Sequence, residues 1–125
     1  MDAQNVIFAA YDSVRNVVRI TFAGAIGVDE ARRGEEAISD ALAGTRRGFY
    51  LLTDLSKLIS MDVQCMPYIT RIMEAAQSRG IAQVVRIIPD PTKDIGLNIM
   101  SLFHYRRGLP IVTCENETEA DRALK

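Results

Sequence analysis

Hydrophobic positions change their spacing several times along the chain, and each change predicts an element. Asn5–Ala10 and Val17–Phe22 are β-rich, and Val18, Ile20 and Phe22 fall on one pleat face. Between them, Asp12-Ser13-Val14-Arg15-Asn16 has the polar chemistry of a hairpin turn. Glycines 24 and 27 read as a break. The period then becomes helical from Asp29 to Ala43, with Ala31, Ala37, Ile38, Ala41 and Leu42 on one stripe. Asp29 and Glu30 suit the positive end of that helix, and Gly44 supplies its stop.

Gly48–Thr53 is almost wholly apolar, which is how a strand covered on both faces reads, and Asp54–Gln64 follows as a loop. A second helix capped by Gln64 places Pro67 in its first turn, where a missing donor costs nothing. Its stripe is Cys65, Ile69, Ile72, Met73 and Ala76, ending at Gly80. Val84–Ile88 is the fourth strand, closed by Pro89-Asp90-Pro91. A helix over 93–107 stops at Gly108, and Pro110–Cys114 is the fifth strand. Asn116, with Glu119 three residues on, predicts a capping box for a last helix carrying Ala120, Ala123 and Leu124.

The order β-β-α-β-α-β-α-β-α predicts an α/β fold: one open mixed sheet of about five strands, mostly parallel, flanked by about four helices. Phe49–Thr53 and Val84–Ile88 should be central. With 125 residues and no repeat or linker, residues 1–125 form a single domain.

Composition narrows the function classes. Apolar residues make up 48% and charged residues 25%, an ordinary globular balance. Fifteen Lys and Arg against sixteen Asp and Glu give a net charge of −1, which argues against a strongly basic nucleic-acid binder. No apolar run is long enough to span a membrane, and the first ten residues carry no secretion signal, so a cytoplasmic protein is expected. The two cysteines, Cys65 and Cys114, read as reduced, buried thiols. With one histidine, His104, the chain cannot supply a Cys/His zinc site, and no cofactor or metal is expected.

Ligands and partners of open α/β sheets sit beyond the carboxyl ends of the strands. Here those are the loops Gly24–Asp29, Asp54–Gln64 and Pro89–Asp94. The segment from Asp54 to Met66 resembles the signature of STAS domains, the anti-sigma-factor antagonist family, whose pattern is roughly D-L-S-G-x-x-x-I-D-S-S-G-L. Asp54-Leu55-Ser56 matches its opening, Met61-Asp62 its I-D, and Met66 its leucine. The element order over the whole chain is similar too. The resemblance implies a non-enzymatic regulatory or protein-interaction domain. It also implies a departure, because the family's phosphorylated serines fall on Val63 and Gln64 and its glycine on Cys65. Neither Val63 nor Gln64 can carry phosphate, so the usual phosphoserine switch is lost. Ser60 is the nearest hydroxyl.

Partner or ligand contacts are therefore expected at Gly27, Ser60, Asp62, Val63, Gln64 and Asp90. The alternative is a small-molecule or lipid-binding domain of the same fold, with an apolar groove near Met61, Met66 and Tyr68. Other features have plain structural readings. Glu35-Glu36 beside Arg32-Arg33 forms a solvated face, and Arg46-Arg47 and Arg106-Arg107 complement helix dipoles. His104 has no partners for a nucleophilic triad. In the 93–107 helix, Ile95, Ile99, Leu102 and Phe103 suffice for a core stripe. A second line of Leu97, Met100 and His104 reads as a homodimer surface.

Overall fold

The computed structural model describes residues 5–88 and 108–124. Strands β1 (Val6–Asp12) and β2 (Val17–Ile26) form the expected hairpin, antiparallel and in register from Val6 opposite Ala23 to Asp12 opposite Val17. The Asp12 carboxylate accepts the backbone N–H groups of Val14 and Arg15, and Asn16 takes a positive φ of 56° to close the turn. Helix α1 (Val28–Ala43) leads to β3 (Phe49–Met61). A 3₁₀ turn (Val63–Cys65) then opens into α2 (Met66–Ser78), followed by β4 (Ile81–Ile87), β5 (Ile111–Cys114) and α3 (Glu117–Ala123).

The five strands lie in the order β1-β2-β3-β4-β5, and every pair after the first hairpin is parallel. The two apolar runs are internal strands, as their composition predicts. Helices α1 and α2 cover one face, where Val18, Ile20, Phe22, Leu51 and Leu55 meet Ile38, Leu42, Ile69 and Met73. The other face carries Val17, Leu52, Val85 and Ile87 under Ala120 of α3. Three α-helices thus flank the sheet among the described residues. The expected 93–107 helix, with Leu97, Met100 and His104, lies outside them, as do Asp90 and the Arg106-Arg107 pair.

Two predicted loops are strand. Gly24 does not break β2, which bends through it at φ 81° and continues to Ile26. β3 likewise runs on past Asp54 to Met61. Thr21 pairs with Asp54 but Ala23 with Lys57, and Gly24 pairs with Leu58 but Ala25 with Ser60. β3 therefore carries one extra residue at each of two places. These bulges turn Leu55 and Leu58 toward the core at a spacing of three, with Met61 packed against it, so the alternation that marks a strand is lost. β4 pairs with β3 only as far as Asp54, so among the described residues the end of β3 is held by β2 alone.

Helix ends also differ from expectation. Gln64 is not the cap of the second helix. The Asp62 carboxylate caps the 3₁₀ turn by accepting the Gln64 N–H at 2.8 Å, and Pro67 falls at the start of α2. In α1 the Glu30 carboxylate accepts the Gly27 N–H at 2.7 Å. At α3, Asn116 accepts the Glu119 N–H as predicted. The Glu119 carboxylate, however, accepts from Glu115 rather than from Asn116, one residue outside the expected box.

Candidate functional site

The carboxyl ends of β2 and β3 end together, and the chain turns there into α1 and α2. The Asp62 N–H donates to the Ile26 carbonyl at 2.9 Å, which fixes the two exits side by side. Cys65 is buried behind them, its thiol 3.7 Å from the same carbonyl oxygen. Burial, and then the Asp62 charge, push the Cys65 thiol above its ordinary pKa, so it remains protonated and serves as packing.

Of the sequence-predicted residues, Gly27, Ser60 and Asp62 come together. With Ala25, Ile26, Glu30 and Met61 they line a depression of about 480 Å³. Its polar groups are largely engaged in local structure, since Glu30 holds both Gly27 and Arg33, and one oxygen of Asp62 holds Gln64. Val63 and Gln64 line a second, open concavity of about 790 Å³ with Met66, Pro67, Thr70 and Arg71. Asp90 lies outside the described residues. Met61, Met66 and Tyr68 do not share one groove. Met61 borders the first hollow and Met66 the second, while Tyr68 is half-buried beneath Arg71, whose guanidinium carbon stands 4.6 Å from the ring centroid.

The second concavity is lined mainly by apolar surface. Val63 is 69% exposed and Met66 42% exposed. Arg71 closes one side and is held in place by a two-pronged contact with Glu35 of α1, at 2.7 and 2.9 Å. Glu35 is therefore not part of a free solvated face but a brace between the two helices. Arg71 and Thr70 escaped sequence reading. Their signal was the spacing Val63-x-x-Met66-Pro67-x-x-Thr70-Arg71, which puts the wall one helical turn beyond the 3₁₀ turn.

The two motif aspartates have separate roles. Asp54 is 2% exposed, accepts the Ser56 N–H and hydroxyl at 2.9 and 2.6 Å, and binds the Arg19 guanidinium at 2.9 Å. Arg19 also pairs with Glu117 of α3. Asp54 thus ties the sheet to the far helix, on the face opposite α1 and α2, and only Asp62 stands at the site.

This architecture is a STAS-like fold. No family model and no curated protein matches the sequence. Solved structures of the same fold include the anti-sigma-factor antagonist SpoIIAA in its unphosphorylated form, at 15% identity and a TM-score of 0.62, covering 94% of this chain and 97% of that one. A Shewanella loihica protein with a SpoIIAA-like fold aligns over 100% of both chains, at 12% identity and a TM-score of 0.64. An anti-sigma-factor antagonist from Mycobacterium paratuberculosis aligns over 99% of this chain and 98% of its own, at 18% identity and a TM-score of 0.60. Among the described residues no helix is long and apolar enough to cross a membrane.

Proposed function

We propose that this chain is a non-enzymatic, cytoplasmic regulatory domain that binds a protein partner through the start of α2, without a phosphoserine at that place. The observation that carries the reading is the exposed apolar pair Val63 and Met66 around Pro67, beside the Asp62 carboxylate. An open apolar surface with a polar rim suits a protein contact better than an enclosed small-molecule site, which buries most of its ligand. Resemblance to anti-sigma-factor antagonist folds supports the same class.

The test is site-specific photo-crosslinking in the producing cells. A photoreactive residue at Val63 or Met66 should yield one discrete protein adduct, abolished by Asp62→Lys, while the same group at exposed Asp121 should yield none. Adducts of equal yield at all three positions, or none anywhere, would overturn the proposal. Mass spectrometry of the same material should find residues 63 and 64 without phosphate; phosphate on Ser60 would show that the switch had moved rather than vanished.

A further inference from the structure

We propose that Met66 is a site of reversible oxidation, at which a hydroperoxide switches off the partner surface at the start of α2. This inference rests on the reading of that surface as a protein contact.

Sulfur reacts with peroxide where the oxidant can reach it. Among the described residues the sulfurs belong to Met61, Cys65, Met66, Met73 and Cys114, while Met1 and Met100 lie outside them. Both thiols are buried, and burial keeps each protonated rather than in the reactive thiolate form. Met73 is 4% exposed inside the core beneath α2, and Met61 is half-buried against the same core. Met66 is 42% exposed and belongs to neither core cluster. Among these side chains the fold leaves Met66 open to the oxidant, and Met66 is a wall of the apolar concavity.

The step adds a single oxygen. A lone pair of the Met66 sulfur attacks hydrogen peroxide, the S–O bond forms as the O–O bond breaks, and the other oxygen leaves as water. Sulfur is oxidised by the electron pair it gives up, and the peroxide is reduced by it. The product is a sulfoxide, a polar group in place of an apolar thioether, and a methionine sulfoxide reductase restores the original side chain.

The setting makes that oxygen costly to a partner. Val63 and Pro67, which line the concavity with Met66, have no side-chain donor, and Pro67 has no backbone N–H either. A partner that covers Val63 and Met66 with apolar groups buries the sulfoxide without a hydrogen bond, which disfavours the contact. The same oxygen costs the isolated fold little. Met66 already meets water, and the buried stripe of α2 is Ile69, Ile72, Met73 and Ala76. Oxidation at Met66 therefore acts on binding and spares folding.

Peptide mapping of the native chain treated with hydrogen peroxide should find sulfoxide at Met66 well before Met61 or Met73, while circular dichroism stays unchanged. Met73 oxidised as fast as Met66 would sink the proposal. The consequence is read on purified chain carrying the photoreactive residue at Val63. It is oxidised, freed of peroxide and illuminated with extract of the producing cells, so the partner never meets the oxidant. The concentration giving half-maximal adduct should rise at least about tenfold, about 1.4 kcal/mol. Met66→Gln should raise it without oxidant, Met66→Leu should keep the adduct and lose the sensitivity, and reductase treatment should reverse the effect. Undiminished adduct from chain fully oxidised at Met66, or equal loss from oxidised Met66→Leu, would overturn this inference alone. No discrete adduct from the untreated chain would overturn the reading of the surface, and this inference with it.

Discussion

The Arg19 guanidinium stands 2.9 Å from the Asp54 carboxylate, and the carboxylate is buried while the arginine is partly in water. That asymmetry predicts unequal costs. Arg19→Met leaves a buried charge with only its Ser56 hydrogen bonds and frees Glu117 of α3. It should lower the unfolding free energy by about 1.5–3 kcal/mol, nearer the lower figure because water reaches the arginine. Adding Asp54→Leu should recover part of that loss, since no buried charge then remains. Urea unfolding of the single and double variants measures both.

The extension of β3 past Asp54 makes a separate prediction. Leu58 is fully buried in a stretch that sequence alone reads as loop. Leu58→Ala should cost about 2–5 kcal/mol, where a loop leucine would cost little. Because β2 is the sole strand beside this end among the described residues, only alternate amides between Lys57 and Met61 should resist hydrogen exchange. Uniformly fast exchange there would contradict the pairing.

Glu35 supplies a pH dependence. Its hydrogen bonds to Arg71 hold its carboxyl below the ordinary glutamate value of 4.5. The folded state then binds fewer protons than the unfolded state in that region, so the brace contributes above that value. Its contribution is lost as pH falls through the lowered one. Glu35→Gln should therefore be less stable than the parent at pH 7. The gap should narrow as the pH drops below about 4, and a gap constant with pH would remove the ion pair as its cause.

Both cysteines are free and buried, and burial raises both thiols. The thiolate is the reactive form. At neutral pH neither Cys65 nor Cys114 should react with a disulfide reagent until the chain is denatured, when two equivalents should react at once. Rapid labelling of Cys65 in the native protein would mean that the β2–α2 junction opens.

Legibility followed periodicity. Phe49–Leu52 and Val84–Ile87 were readable as internal strands because both faces are covered and the run is continuous. The stripes of α1 and α2 were readable because each packs on one sheet. The end of β3 was not, because two bulges replace alternation with the spacing Leu55, Leu58, Met61, for which propensity rules have no template. Asp62 could be placed at the site from its position before a helix, but its capping of the 3₁₀ turn could not. The Glu35–Arg71 brace was hidden because its partners are 36 residues apart, and charge neighbours within one helix offered a sufficient local explanation.

The position of α3 in the chain has a consequence for synthesis. Every strand described leaves the ribosome before Ala120 does, so Val17, Leu52, Val85 and Ile87 emerge ahead of the residue of α3 that packs on them. Until Glu117 reaches Arg19, the nascent chain lacks the contribution of α3 to that apolar face, and transiently exposed apolar surface is prone to aggregation. The last short helix, which buries little by itself, thereby ends one interval in which a newborn molecule is exposed to aggregation.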